Sequence, residues 1–270
     1  MKKKGIYITL VIVLAVALLG SAIYLFSYFW SSKKNEELND QLRQDTMTTA
    51  AATEATTEAT TEATTEATTE PQETYVQGGR DYKAFYEKNP NPDFVGWLRI
   101  EGTVLDYPVM QTSTDNANYY LYRDYNKNNS TQGTIYARAE CDIYKPSDNV
   151  TLYGHTMKDG SMFAYLGNYY EKSTWENNPM IFFDTLTESH VYKIFAVFKT
   201  SGTDNVGFAY HLMADAKDEA EFNKFVATCK ELSFYDTGIT PVYGDKLLCL
   251  STCEYTIDNG RFVVAAVRIS

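Results

Sequence analysis

A Thr-Thr-Glu-Ala repeat with a period of four residues divides this chain, because the repeat itself cannot contribute to a hydrophobic core. Residues 48–73 contain no aromatic or large apolar side chain, so they have nothing to bury. The regularly spaced glutamates repel one another and keep the segment extended. This composition predicts a solvated spacer, and the abundance of threonine leaves a glycosylated stalk as the alternative.

The segment before the spacer is apolar enough to cross a membrane. Residues 5–30 carry no charged side chain, and a helix of that length spans the ~30 Å hydrocarbon core of a bilayer. No clear small-x-small cleavage site follows, so we expect an uncleaved anchor. The lysines at positions 2–4 favour a cytoplasmic N-terminus, and Lys33 and Lys34 weaken this bias without reversing it. The C-terminal bulk is then predicted to lie outside the cell.

These features predict three regions. Residues 1–34 form the cytoplasmic N-terminus and the transmembrane anchor, residues 35–77 an extracellular low-complexity spacer, and residues 78–270 the folded domain. A domain of about 195 residues is of ordinary size. The net charge is −11, part of it from the spacer glutamates. Since the sequence shows no basic patch with interleaved aromatic residues, we expect no nucleic-acid partner.

The cysteines argue against a metal centre. They are Cys141, Cys229, Cys249 and Cys253, and no Cys-x-x-Cys pair occurs among them. An extracellular location permits disulfides. On one strand, however, Cys249 and Cys253 would lie ~13 Å apart, beyond the ~7 Å Cα limit for a bridge. We expect neither a bound metal nor a cofactor.

Short runs rich in tyrosine, valine, isoleucine and phenylalanine dominate the domain, which is typical of β-strands. The predicted strands are 96–100, 104–111, 133–137, 149–153, 180–184, 190–200, 246–253 and 261–269. A short helix is predicted over 81–88, and a longer one follows from apolar residues at helical spacing over 222–232, with Asp215 or Asp218 as its cap. Many short strands with few helices predict a mainly β domain, either a closed barrel or a sandwich.

The last two strands carry the most informative polar residues. Cys253 lies at the end of one strand and Arg261 at the start of the next. A hairpin closed by residues 254–260 places Cys253 across from Arg261, with Cβ atoms ~5 Å apart. Asn259-Gly260 is a competing two-residue turn, which pairs Asp258 with Arg261 instead. The sequence alone leaves both registers open.

A thiol, an imidazole and a fixed cation occur at strand ends. Cys253 follows the polar pair Ser251-Thr252, whereas Cys249 sits mid-strand between leucines and is expected to pack in the core. His155 follows a strand and a glycine, a position that projects a side chain from a strand end. With Arg261, this set suits attack on an amide carbonyl, where an oxyanion must be stabilised and an amine must leave. A buried structural cysteine is the alternative for Cys253.

The motifs around these residues resemble those of class B sortases. The match rests on Leu250-Ser251-Thr252-Cys253 with Arg261 downstream, and on Tyr153-Gly154-His155 upstream. Further segments that resemble the class, in chain order, are 91–98, 106–111, 119–121, 155–157 and 161–163. The long helix before the cysteine strand also fits. The resemblance covers about residues 80–270.

The resemblance implies a fold and an activity. The fold is an eight-stranded β-barrel with an N-terminal helix and a longer helix before the penultimate strand. The activity is that of a cysteine transpeptidase, in which Cys253 is the nucleophile, His155 the acid/base and Arg261 the clamp of the oxyanion or substrate. Residues implied to line the substrate groove are Ser251, Thr252, Glu254, Tyr153 and Asn116.

The same resemblance implies partners and a location. The substrates would be surface proteins that bear a sorting motif, and the acceptor an amine of a peptidoglycan precursor or a pilin subunit. Residues 78–270 would be the catalytic domain, held outside the cell by a single-pass membrane anchor.

Two positions depart from the family's pattern. Cys249 stands where threonine is common, and Arg138 follows Ala137 where an aspartate is common. Neither position touches the three central residues, so these departures concern the substrate more than the class of reaction.

Two other functions stay open at this stage. A papain-like hydrolase also uses cysteine and histidine, but its cysteine comes first in the chain and begins a helix. A non-enzymatic wall-associated binding module would also carry an anchor and a spacer. Such a module gives no reason for Cys253, His155 and Arg261 to occur together.

Overall fold

Eight β-strands close into a barrel, which confirms the architecture that the resemblance implies. The computed structural model describes residues 2–57, 79–203 and 206–270. Its strands are β1 (Phe94–Arg99), β2 (Asp106–Met110), β3 (Ile135–Ala137), β4 (Asn149–Tyr153), β5 (Met180–Asp184), β6 (Ser189–Ser201), β7 (Leu247–Glu254) and β8 (Gly260–Arg268). The α-helices of the described residues are α1 (Lys2–Thr57), α2 (Tyr82–Lys88), α3 (Lys172–Asn177) and α4 (Glu219–Leu232).

The strands follow the order β1-β2-β3-β4-β7-β8-β6-β5, and β5 pairs with β1 to close the barrel. The pairs β2–β3 and β4–β7 are parallel, and the other pairs are antiparallel. Parallel neighbours need a long connection. Between β4 and β7 that connection contains α3, β5, β6 and α4. It brings the strand end before His155 beside the strand that carries Cys253.

Strand β7 has one face inside the barrel and one outside. Leu248 and Leu250 belong to the barrel interior, whereas Leu247 and Cys249 pack on the outside with residues of α4. This alternation follows from the period of two along a strand. By the same period Cys253 lies on the outer face. The thiol therefore does not point into the barrel core.

Helix α4 covers part of this outer face. Its N-cap is Asp218, whose carboxylate accepts a hydrogen bond from the backbone N–H of Glu221 at 2.8 Å. This confirms the predicted amphipathic helix and identifies its cap. The buried side chains of the helix are Phe222, Phe225, Val226 and Cys229.

Helix α1 contains the predicted membrane span and continues beyond it. Within Thr9–Met47, an exposed apolar stretch is long enough to cross a membrane. This property of length and composition is compatible with the predicted anchor.

Beyond the span, one face of α1 packs against the barrel. A residue on this face is buried once in every helical turn, namely Asn35, Asn39, Leu42 and Thr46. The sequence predicts a spacer from residue 35, and this is wrong for residues 35–46. Most of the buried face is polar, so it carries no apolar periodicity from which docking could be predicted. Residues 58–77 of the predicted spacer lie outside the described residues.

Leu42 anchors this docking. It is 2% exposed and belongs to a cluster of aromatic side chains that includes Phe85 and Trp97. Polar contacts flank it, since Asp45 accepts a hydrogen bond from Lys88 Nζ at 2.7 Å. On the other side, Arg43 Nε donates to the carbonyl oxygen of Asp106 at 2.9 Å.

Candidate active site

Cys253 and Arg261 face each other across the antiparallel pair β7–β8. The next pair is Glu254 with Gly260. This confirms the longer of the two registers and excludes the two-residue turn that would pair Asp258 with Arg261. Side chains directly opposed in such a pair have Cβ atoms ~5 Å apart. The side chain of Arg261 therefore extends from a backbone position next to that of Cys253.

His155 is aligned with Cys253 by the parallel pair β4–β7. Tyr153 pairs with Ser251 at the ends of these strands, and the N–H of Gly154 donates to the Ser251 carbonyl at 3.2 Å. His155 and Cys253 each lie two residues beyond that pair, and adjacent strands are ~4.8 Å apart. The imidazole, the thiol and the guanidinium thus arise in a row from three neighbouring chain segments.

Threonine hydroxyls fasten the histidine segment to the cysteine strand. Thr252 Oγ1 donates to the Gly154 carbonyl at 2.7 Å, and Thr156 Oγ1 donates to the Cys253 carbonyl at 3.1 Å. The two hydroxyl oxygens lie 2.7 Å apart. Because these bonds flank both His155 and Cys253, they fix the backbones of the two residues relative to each other.

The imidazole of His155 is held by the backbone of a 3₁₀ turn, Tyr119–Tyr122. Its Nε2 lies 2.8 Å from the carbonyl oxygen of Leu121. A carbonyl oxygen can only accept, so Nε2 carries a proton and donates it. In the neutral ring Nδ1 is then the basic nitrogen. The ring of Tyr122 adds a contact at 5.5 Å between centroids.

The loop between β7 and β8 is built around the carboxylate of Glu254. It accepts hydrogen bonds from Lys199 Nζ at 2.9 Å, from Thr256 Oγ1 at 2.6 Å and from the backbone N–H groups of Thr256 and Ile257. The side chain is 9% exposed. Burial opposes the charged form, but the bonds from Thr256 and Lys199 outweigh it and lower the pKa of Glu254 to about 2. Glu254 is thus a charged centre of the loop.

Gly260 and Asn259 complete that loop. A Cβ at position 260 would lie 2.5 Å from the carbonyl oxygen of Glu254, so the close return of the chain needs glycine there. Asn259 adopts a left-handed conformation with φ of 47°, which asparagine tolerates better than most residues. The loop between β7 and β8 is therefore a tight connection next to the pair of Cys253 and Arg261.

The guanidinium of Arg261 is clamped by this loop. Its Nη1 donates to the carbonyl oxygens of Asn259 at 3.1 Å and Gly260 at 2.9 Å. Gly202 lies against it, since a Cβ there would be 3.1 Å from the Arg261 Cζ. Within the described part of the chain, Nε and Nη2 make no hydrogen bond. These donors can meet a ligand with the side chain already oriented.

A cleft of about 480 Å³ opens over the row. Three of the predicted groove residues line it together with the row, namely Tyr153, Ser251 and Thr252. The Ser251 hydroxyl lies 2.5 Å from that of Tyr210, and the Thr252 hydroxyl is bonded to Gly154. Ser251 and Thr252 therefore shape the cleft, while their hydroxyls hold the surrounding structure.

Two predicted groove residues lie elsewhere. Glu254 lines a second cleft, and its carboxylate is occupied by the loop. Asn116 is exposed in a 3₁₀ turn and does not line the cleft, whereas Asn118 does. Asn118 lies two residues further along, between this 3₁₀ turn and the next one, and it is this asparagine that meets the cleft. Asn118 Oδ1 accepts a hydrogen bond from the Tyr136 hydroxyl at 3.3 Å.

The far wall of the cleft was not predicted. It contains Tyr136, Arg138 and Glu140, with 3.1 Å between Arg138 Nε and a Glu140 carboxylate oxygen. Burial raises the pKa of Tyr136. The one signal in the sequence was Arg138, which departs from the family's pattern. The cleft thus has a guanidinium at this wall and a second one at Arg261.

A second cleft of about 520 Å³ lies on the other side of the cysteine. Cys253 and Thr252 line both clefts. The second cleft also includes Tyr170, Phe262 and Lys199. The thiol therefore stands where two substrates could approach it from different sides.

The cysteines differ as expected. All four are free, but Cys253 alone among them is partly exposed. Cys249 is fully buried in the cluster beneath α4, and burial raises its pKa strongly. This agrees with a packing role for Cys249. A thiol that a substrate can reach is found at Cys253.

Matches with known proteins cover this domain. Residues 98–269 match the sortase domain family. Sortase B of Staphylococcus aureus is 30% identical over 178 residues, which is 65% of this chain and 70% of that protein. Sortase B of Listeria monocytogenes is 33% identical over 176 residues, covering 64% and 69%. A crystal structure of sortase B from B. anthracis matches with a TM-score of 0.67 and 26% identity, over 90% of this chain and 99% of that one.

Proposed function

The chain belongs to the sortase family as a cysteine transpeptidase of class B, and on this premise we propose a specific reaction for it. It cleaves a sorting motif in secreted surface proteins and transfers the cleaved protein to an amine of peptidoglycan or of a pilin subunit. The observation that carries this proposal is the row of His155, Cys253 and Arg261 over one cleft.

In the first step the Cys253 thiolate attacks the carbonyl carbon of the scissile amide and forms a C–S bond. The carbonyl oxygen becomes an oxyanion, which the free N–H groups of Arg261 stabilise. His155, charged at this point, gives its Nδ1 proton to the departing nitrogen as the C–N bond breaks. The products are a free amine and a thioester on Cys253.

In the second step an incoming amine attacks the thioester carbonyl. The neutral imidazole accepts a proton from that nitrogen at Nδ1, while Nε2 stays bonded to the Leu121 carbonyl. Collapse of the second oxyanion breaks the C–S bond and restores the thiolate. The new amide joins the surface protein to its acceptor, and His155 is charged again for the next cycle.

The location is a separate part of the proposal. The helix at Thr9–Met47 would hold the catalytic domain on the outer side of the cell membrane, with the N-terminus inside. On intact protoplasts, an external protease should cut the Thr-Thr-Glu-Ala region, so that the domain is no longer covalently joined to the anchor. Protection of that region on intact protoplasts, with cleavage after lysis, would contradict this orientation.

The test of function uses a library of fluorogenic candidate sorting peptides, with and without peptides that offer a free amine. We expect a thioester at Cys253, identified by mass spectrometry, and an amide product that depends on the amine. Cys253→Ala should form neither, while Cys249→Ala should form both if it stays folded. Hydrolysis at the same rate with every amine and no amide product would favour a papain-like hydrolase instead.

A further inference from the structure

The turn of α1 directly after the predicted membrane span contacts two segments of the barrel. This juxtamembrane turn comprises residues 31–35, and it follows Trp30 without a break in the helix. Its side chains reach Asp159 in one segment, and Ser130 and Gln132 in the other. Both segments also hold the imidazole of His155.

The first segment is the loop that begins with His155. The His155 carbonyl accepts a hydrogen bond from the N–H of Phe163 at 2.9 Å, and Thr156 forms an isolated β-bridge with Met162. The loop is therefore a narrow hairpin with Asp159 at its tip. The Ser32 hydroxyl of the juxtamembrane turn donates to the Asp159 carboxylate.

Asp159 is well suited to be a fixed acceptor. Its carboxylate also accepts from the backbone N–H of Ser161 at 3.0 Å and from the Ser161 hydroxyl at 2.6 Å. Partial burial opposes ionisation, but the hydrogen bonds from Ser161 and Ser32 outweigh it and lower the pKa of Asp159. The tip of the loop is thus charged, ordered by its own residues, and attached to α1.

The second segment begins with the 3₁₀ turn that binds the imidazole. Leu121 supplies the carbonyl that accepts from His155 Nε2. Its neighbour Tyr122 accepts a backbone hydrogen bond from Ser130 at 3.1 Å, and Ser130 in turn contacts Asn35 of α1 through a side-chain hydrogen bond of 3.3 Å. Gln132 is 1% exposed and accepts from the Ser31 hydroxyl at 3.5 Å.

We propose that the juxtamembrane turn of α1 positions His155, by holding the loop that carries the imidazole and the turn that accepts its Nε2 proton. The proposal rests on the function proposed above, in which His155 transfers protons. Residues 31–35 are positioning residues, because none of them lines the cleft over Cys253. The membrane helix is then part of the catalytic apparatus as well as its tether.

The interface between α1 and the barrel is polar around the juxtamembrane turn, which suits a role in fixing the position of His155 better than a role in simply holding the two parts together. Around the turn, α1 and the barrel enclose a cavity of about 300 Å³ lined by polar groups such as Asn39, Arg43 and Gln132. The Nε2 of Gln132 has no partner among the residues the structure describes. Apolar adhesion is supplied further along the helix by Leu42. Directional hydrogen bonds, unlike apolar contacts, specify a single geometry.

The test uses the full-length protein in lipid nanodiscs, with Ser32→Ala, Asp159→Ala and the double variant. The matched control is Ser27→Ala, whose hydroxyl bonds, among the residues that the structure describes, only the Tyr24 carbonyl of its own helix. With the best peptide from the fluorogenic library, each single variant should lower kcat by about 10-fold and leave KM unchanged, because small misplacement of a catalytic group is costly. The double variant should be no worse than Asp159→Ala alone, because that variant already removes the acceptor of the Ser32 hydroxyl.

A second readout does not depend on any substrate. The chain has three histidines, so ¹⁵N-histidine spectra can be assigned with His155→Gln. In the spectrum of the neutral ring, the wild type should show a proton on Nε2 of His155. Ser32→Ala should average the two tautomers, and Ser32→Thr, which keeps the hydroxyl, should restore the wild-type spectrum and kcat.

The outcomes separate this proposal from the proposed function. Unchanged kcat and unchanged His155 signals in Ser32→Ala and Asp159→Ala would overturn the positioning role. So would additive losses in the double variant. If the wild type forms no thioester with any peptide while Ser32→Ala still averages the tautomers, the function fails and the positioning role stands.

Discussion

Tyr153 and Ser251 are directly paired across the parallel strands β4 and β7. This pairing aligns His155 with Cys253, although about a hundred residues separate them in the chain. Arg261 joins the row from the other side, across the antiparallel pair β7–β8. The position of each proposed reacting group thus depends on backbone ladders, which are among the most rigid parts of a barrel. Substitutions at these positions should change chemistry more than folding.

The two cysteines of β7 should separate chemistry from packing. Cys253→Ala is expected to abolish the thioester with little effect on the melting temperature, because its side chain is partly exposed. Cys249→Ala is expected to cost about 1–2 kcal/mol of stability and to keep turnover, because it leaves a small cavity in the core. Mass spectrometry and thermal melts measure both. Equal loss of turnover in two folded variants would show that this distinction is wrong.

Arg261→Lys tests the geometry of the cation. Lysine keeps the positive charge but lacks the planar guanidinium group. In Arg261 the Nη1 atom bonds the loop, while Nε and Nη2 remain for the substrate. We expect kcat/KM to fall by about 100-fold or more, the scale of losing an oxyanion donor. Peptide cleavage with and without an amine, alongside a melting curve, measures this. Rates near the wild type would remove arginine from the mechanism.

Glu254 should make the loop between β7 and β8 sensitive to acid. Its pKa in the folded chain is about 2, below the ordinary 4.5, so ionised Glu254 stabilises the fold above about pH 4.5. That contribution is lost as the pH falls towards about 2. Glu254→Gln should therefore cost about 1–2 kcal/mol at neutral pH, after allowance for solvent screening, and less in acid.

Chemical denaturation between neutral pH and about pH 3 measures this difference. The control is Glu231→Gln, an exposed residue of α4 that should change stability little at any pH. A stability difference between wild type and Glu254→Gln that stays constant over this range would contradict the assignment. Activity should fall in Glu254→Gln even where the protein is folded, because the loop orients Arg261.

Leu42 tests whether α1 is part of the folded domain. Leu42→Ala should cost about 2–3 kcal/mol, since Leu42 packs against the aromatic cluster of α2 and β1. Met47→Ala, on the same helix but 51% exposed, should be nearly neutral. A protein that begins at Gly78 should melt at a lower temperature than one that begins at Ser31. Identical melting of these two truncated proteins would show that the docked face contributes nothing.

The strands themselves could be predicted from composition. All eight predicted strands occur, β4 and β5 with the predicted bounds and the others with ends shifted by one or two residues, because β-branched and aromatic residues alternate between the two faces. The cap of α4 had two candidates, and the structure selects Asp218. These features are local, so a short window of sequence contains what determines them.

Other features had no local signal. The docked face of α1 includes Asn35 and Asn39, whose burial depends on partners far along the chain. Asn116 and Asn118 are equally polar near neighbours, and only the path of the chain between two 3₁₀ turns decides which one reaches the cleft. Glu254 lies beside Cys253 in sequence, but its carboxylate accepts hydrogen bonds from Lys199 of β6 and from the loop.

The sequence by itself determined the strands and the apolar stretch of α1, and it placed a thiol, an imidazole and a guanidinium at strand ends. It did so because periodicity and side-chain chemistry act over a few residues. The tertiary structure alone decided the strand register in which Cys253 faces Arg261. It also decided the parallel pairing that brings His155 beside them. Distant strands pair in the register that buries the core of the whole barrel. The free energy of that burial depends on all the strands together, so no single segment of sequence determines it.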